Sequence, residues 1–181
     1  MLLYIAALAR LRGIGLPVES LIVFYNALFV PLISYGIVVW GSAFLSHLRY
    51  LEVIQRDAIR TIFGLPRHSS VRAVMSRFKL FSLNQLYVYR VACLMYKELC
   101  VAKRDIQTSR FLLRPNLTYP IRNYHTSDVV INTERTSYLA RSPQYQHAHI
   151  WNTLPNIIRS STTLSIFRAR LTEHILTNVL N

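Results

Sequence analysis

Apolar positions recur at helical spacings over much of the chain, most clearly across 45–63. There Leu48, Leu51, Ile54, Ala58 and Ile62 return every three or four residues and form one stripe. Arg49, Arg56 and Arg60 share another face, with Glu52 four residues before Arg56 as a supporting pair. Gly64 and Pro66 supply the stop signal. Upstream, 17–29 reads as a helix, since Pro17 suits a first turn and Glu19 complements the positive helix end. Pro31 is expected to interrupt or kink it. The apolar run 32–40 fits a short helix better than a buried strand, because no strand partner is evident nearby.

Further along, Ser69 or Ser70 can cap a short helix whose Val71, Val74, Met75 and Phe78 face inward, leaving Arg72 and Lys79 outside. A helix over 82–101 is apolar nearly all round, which marks a central buried element. Its Tyr87, Tyr89 and Tyr96 read as core residues. From Lys103 the composition turns to Arg, Thr, Asn and Tyr with Pro115 and Pro120 as breakers, so 103–124 reads as an exposed linker. The segments 128–133 and 136–140 resemble strands of a small hairpin. Ser142 and Pro143 then open a helix reaching Trp151, closed by Leu154 and Pro155. A final amphipathic helix from about Thr163 buries Leu164, Phe167, Leu171 and Ile175 and exposes Arg168, Arg170 and Glu173.

The pattern therefore predicts a mainly α protein, a bundle of about five to seven helices with a small irregular or β-hairpin segment before the C-terminal helices. The domain reading is a helical domain over 1–102, the linker 103–124, and a C-terminal extension over 125–181 with the hairpin and two helices. A chain of 181 residues buries about 70% of its unfolded surface and needs no covalent staples. Cys93 and Cys100, seven residues apart on one helix, lie about 10 Å from each other, too far for a disulfide, and read as buried apolar residues.

Charge alters this picture more than any motif does. Lys plus Arg number 21 against 8 Asp plus Glu, a net charge of +13. Eighteen of the basic residues are Arg, whose planar fork of donors matches phosphate. No acidic residue occurs between Asp57 and Glu98, whereas that window holds Arg60, Arg67, Arg72, Arg77, Lys79, Arg90 and Lys97. A polyanion is the expected partner, either nucleic acid or an anionic membrane surface. The phosphate-contacting candidates are Arg49, Arg56, Arg60, Arg67, Arg72, Arg77 and Lys79, binding the backbone without base readout.

Catalytic chemistry is not in the pattern. Three Asp and five Glu are scattered, with no Asp-Asp pair for a two-metal site. There is no phosphate-binding glycine loop, and His147 and His149 point apart on a helix and read as two surface histidines rather than metal ligands. No enzyme activity of the chain alone, no cofactor and no metal are expected.

The stretch 20–46 carries no charged residue over 27 positions, long enough to span a bilayer, which needs about 20. Pro31, Gly36 and Gly41 divide it into lengths typical of core helices. A membrane-anchored basic protein using Ser20 to Ser46 as its span thus stands as the alternative to a buried core.

The series Tyr35-Gly36-Ile37-Val38-Val39-Trp40-Gly41, then Leu51, Gln55-Arg56, Ala58-Ile59-Arg60, Ile62 and Gly64, resembles the region following the polymerase core in LINE-type (non-LTR) retrotransposon reverse transcriptases, the Jockey-like group in particular. Tyr124, Thr126, Arg135-Thr136, Ser142, Tyr145, Trp151-Asn152-Thr153-Leu154-Pro155, Ile158, Leu164 and Phe167 continue the resemblance in order, so that it covers about 11–180. The chain departs from the family pattern at Ser127, where Arg is frequent, and at Ala148 and His149, where Gly is frequent. The catalytic palm and any endonuclease domain are absent from the sequence. The resemblance implies a non-catalytic C-terminal fragment of an RNA-directed DNA polymerase, with a thumb-like helical segment lying along template and primer. It also implies the missing palm domain as a partner, RNA, DNA or their hybrid as ligand, and an intracellular setting in nucleus or cytoplasm. A relic reading frame with no selected function is a further alternative.

Overall fold

A computed structural model describes residues 2–101, 128–131 and 136–177. Among them the chain is mainly helical and has no strand. The linker expected at 103–124 and residues 132–135 of the expected hairpin lie outside the described residues. Two compact units emerge, one from 1–37 and 43–87, the other from 38–42 and 88–181.

The first unit opens with α1 (Leu2–Gly13), α2 (Val18–Phe24), a wide π turn (Tyr25–Phe29) and α3 (Val30–Ser34). Pro31 does not break the helix as expected. The π turn precedes it, and the Val30 N–H reaches back five residues to the Tyr25 carbonyl. One extra residue in that turn accommodates the proline, which offers no N–H to the ladder. The interruption comes later, where Tyr35 turns extended and Gly36 takes a left-handed φ of 63°. A short α4 (Ile37–Trp40) follows, so the run 32–40 is two helical pieces and a turn instead of one helix. No helix among the described residues is long and apolar enough to cross a membrane.

Next, α5 (Leu45–Phe63) occupies the span that its stripe predicts. Ile54, Ala58, Ile59 and Ile62 are buried, together with Leu8 of α1, which packs along α5, and Leu21, Tyr25, Phe29 and Ile33. Gln55 lies within this apolar stripe and is 2% exposed. Its amide nitrogen donates to Tyr25 Oη at 3.0 Å and to the Phe81 carbonyl at 2.8 Å, which satisfies an otherwise costly buried donor. Burial pushes the Tyr25 phenol up to about 12, with the Gln55 hydrogen bond opposing it.

Beyond a turn, α6 (Arg72–Arg77) is held by Ser70 Oγ, which accepts from the Arg72 N–H. α7 (Leu83–Tyr96) begins with a reciprocal cap: Ser82 Oγ accepts from the Gln85 N–H, and Gln85 Oε1 accepts from the Ser82 N–H. Its first turn belongs to the first unit and its remainder to the second, where a π turn (Lys97–Val101) extends it. Its burial on several sides fits an apolar surface: Leu83, Leu86, Tyr87, Val91, Ala92, Cys93, Met95 and Tyr96 are all buried.

The second unit is closed by α8 (Pro143–Thr153), α9 (Asn156–Arg159) and α10 (Leu164–Thr177). Ser142 Oγ caps α8 on the Tyr145 N–H, and Thr163 Oγ1 accepts from the Ile166 N–H at the start of α10. Phe167, Leu171 and Ile175 are buried as their spacing predicts, and Leu164 is half-buried. Phe167 stacks between Tyr96 and Trp151, with ring centroids at 4.3 and 6.2 Å. The Tyr96 hydroxyl donates to the Ser161 carbonyl at 2.7 Å.

The strand expected over 136–140 is instead a turn leading into a short 3₁₀ turn (Leu139–Arg141). Local bonds consume its backbone: Ala140 N–H to the Thr136 carbonyl, Arg141 to Tyr138 and Ser142 to Leu139. Residues 128–131 form no strand, although Val129 takes part in an isolated β-bridge. The side-chain amide of Asn152 takes both backbone groups of Val129, each at 2.9 Å, as a neighbouring strand would. Asp128 accepts from the buried Arg159, which also donates to Asn156 Oδ1. The irregular segment before the C-terminal helices is therefore anchored by side chains from the α8–α9 corner.

Two further expectations are corrected. His147 is buried, not on the surface, with its Nε2 2.8 Å from the Val38 carbonyl, while His149 is exposed beside Tyr145. The two sit on opposite sides of α8 because they are two residues apart. Cys93 is buried but Cys100 is exposed, since the wide turn ending α7 carries it outward.

Candidate nucleic-acid interface

All seven candidate cations fall in the first unit. Their setting is built by the end of α5. Gly64 ends that helix in a left-handed conformation (φ 64°), and the N–H groups of Gly64 and Leu65 both bond to the Arg60 carbonyl. This closing motif needs a residue without a Cβ penalty, and Gly64 provides it. The Phe63 and Phe78 rings, 4.9 Å apart, hold the end of α5 against the end of α6. Arg77 places its guanidinium 5.5 Å from the centre of the Phe78 ring.

Arg60 has a bracing role. Its Nε and Nη2 donate to the Ser69 carbonyl at 3.2 and 3.1 Å, and its Nη1 donates to Asp57 at 2.8 Å. One guanidinium therefore ties the 64–71 turn to the helix. Arg56 pairs with Glu52, its Nε donating to the Glu52 carbonyl at 3.2 Å and its Nη2 3.8 Å from the carboxylate. The two acids of α5 are thus each matched to one arginine of the same helix.

Arg49, Arg67, Arg72, Arg77 and Lys79 are exposed. Arg49, Arg67, Arg77 and Lys79 have no acidic partner among the described residues. Lys79 is also the one non-glycine residue there with positive φ, 53°. It ends α6 as Gly64 ends α5, with the Leu80 N–H bonding back to the Met75 carbonyl at 2.8 Å. A lysine in this position costs on the order of 1 kcal/mol against glycine.

The first unit carries nine Arg or Lys against three acids, a net charge of +6. Its remaining basic residues, Arg10 and Arg12, are exposed in the last turn of α1. Sequence spacing does not connect Arg12 with the α5 cluster; only the packing of α1 on α5 does so. No local signal foretells it.

No arrangement of His, Cys, Asp or Glu among the described residues could hold a metal ion. In the second unit, burial pushes the Cys93 thiol up, with hydrogen bonds from Arg168 and Tyr89 opposing, so this sulfur lacks the low pKa of a reactive thiolate. What the first unit offers is a set of exposed cations, mostly arginines, around two arginines held by acids of α5.

No protein-family model, curated protein or solved structure matches the chain.

Proposed function

We propose that this chain is a non-catalytic nucleic-acid-binding module that grips backbone phosphates with the basic surface of its first unit. The observation that carries the reading is charge geometry. Glu52 and Asp57 are consumed by Arg56 and Arg60, so the exposed Arg49, Arg67, Arg77 and Lys79 present positive charge with no acidic partner among the described residues. Arg72, exposed in the first turn of α6, adds to the same field. Arginine-rich, acid-poor surfaces attract phosphate and carry little base information. The resemblance to the post-polymerase region of non-LTR retrotransposon reverse transcriptases supports the same partner, template and primer, with catalysis supplied by a palm domain on another part of the polyprotein. A nuclear or cytoplasmic setting follows from that partner.

Salt titration of binding to an RNA–DNA hybrid tests the proposal. With four phosphates engaged, log affinity should fall against log salt with a slope of about −3.6. A slope near zero overturns it. Shuffling the hybrid's sequence should leave affinity unchanged, since phosphate contacts do not read bases.

A further inference from the structure

Arg12 and Gly64 are far apart in sequence, yet the guanidinium of Arg12 fills the notch that glycine leaves. A Cβ built on Gly64 would lie 1.9 Å from Arg12 Nη2, 2.4 Å from Cζ and 2.8 Å from Nη1. Gly64 thus serves two purposes: it adopts the left-handed turn, and it vacates the space into which Arg12 packs. The seat lies at the C-terminal end of α5, where the last carbonyls carry partial negative charge that favours a cation.

Helix-end stabilisation alone would use those donors, but they are not used. Among the described residues Arg12 has no hydrogen-bond or ion-pair partner, and its side chain is exposed. It lies against Gly64 with its fork of donors uncommitted among the described residues. Arg60, four residues before the seat, has three donors committed to Ser69 and Asp57 and cannot fill that role.

We propose that Arg12, seated on Gly64, is a phosphate-contact residue of the first unit, so that the nucleic-acid surface continues from α5 onto α1. The seat places a planar, permanently charged fork beside the end of α5, which suits bidentate contact with a phosphate. This rests on the nucleic-acid reading above and adds to it a position contributed by a second element. Arg10, two residues earlier and about 200° around the helix, lies on the other side of α1 and takes no part.

The test is fluorescence anisotropy of the full chain with a short RNA–DNA hybrid over a potassium chloride series. Arg12→Ala should make the salt slope shallower by about 0.9, the increment of one phosphate, and Arg12→Lys should keep most of it. Arg10→Ala should leave the slope as it is. Gly64→Asn tolerates the left-handed backbone but places a Cβ in the seat. It should cost the same increment in the wild-type background and nothing further when combined with Arg12→Ala. A steep wild-type slope with Arg12→Ala unchanged, or an equal effect from Arg10→Ala, overturns this inference and leaves the parent reading intact. A wild-type slope near zero overturns both. If thermal melts show that Arg12→Ala does not fold, Arg12→Gln keeps the stem and decides by the same slope.

Discussion

Gln55 sits in the apolar stripe of α5, and its amide links Tyr25 to the Phe81 carbonyl. Gln55→Ala takes the donor from the buried Tyr25 hydroxyl and from the Phe81 carbonyl and opens a cavity, so urea unfolding should show a loss of about 2 kcal/mol. At Lys79 the expected sign is reversed. Its left-handed backbone favours glycine, and Lys79→Gly should raise stability by about 0.5–1 kcal/mol while making the salt slope of binding shallower. A stabilising substitution that weakens binding separates the two roles of this residue. His147 gives the pH dependence. Burial lowers its pKa below the usual imidazole value, with the Val38 carbonyl and the Glu98 charge opposing. The neutral ring's contribution is then whole above about pH 6.5, the unfolded value, and is lost as pH falls through the lower folded value. The melting temperature should drop between neutral pH and about pH 5, and His147→Gln, still able to donate to Val38, should flatten that dependence.

Elements here are fixed mainly by their ends. α5 stops at Gly64, α7 starts on the reciprocal Ser82–Gln85 cap and α8 starts on Ser142. Arg60 adds a brace between a helix and the turn that follows it. Arg60→Ala should cost about 2 kcal/mol, because the Ser69 carbonyl loses a charged donor. It should change the salt slope of binding less than Arg67→Ala, whose side chain makes no hydrogen bond or ion pair among the described residues; matched anisotropy titrations of the two variants check this. In the second unit the buried Arg159 pairs with the half-buried Asp128 and with Asn156, and with Asn152 it holds residues 128–131. Arg159→Ala removes the guanidinium that ties Asp128 to Asn156 and should cost about 3 kcal/mol in denaturant unfolding.

For the molecule as a whole, the distribution of charge matters more than its total. The acids of α5 are spent within the helix, and Arg49 of α5 with Arg67, Arg77 and Lys79 beyond it have no acidic partner among the described residues. Binding through such a surface should weaken steeply with salt and vary little with nucleic-acid sequence. Much of this architecture is legible in the chain itself. The stripe of α5, the apolar circumference of α7, the Ser142–Pro143 start and the Phe167–Leu171–Ile175 face all lie in elements whose periodicity and caps agree. Legibility fails where a partner distant in sequence decides the outcome. Residues 128–131 carry one β-bridge at Val129, but the side-chain amide of Asn152 in α8, which also takes both backbone groups of Val129, has no sequence signal. His147 reads as a surface residue on a polar helix until the Val38 carbonyl meets it.

By itself the sequence determined the helical class, the span of α5, the caps and the excess of arginine, because each depends on neighbours within a turn or two of the chain or on composition alone. Tertiary structure decided what lies beyond the local Glu52–Arg56 and Asp57–Arg60 pairs, such as the bonds from Arg60 to the Ser69 carbonyl. Arg56 and Arg60 share a face with Arg49, yet close carboxylates and the Ser69 carbonyl occupy the first two and leave Arg49 without an acid. It also placed Arg12 on Gly64, a contact that no spacing rule encodes, because it requires α1 to pack on α5 and a residue without a Cβ at the point where they meet.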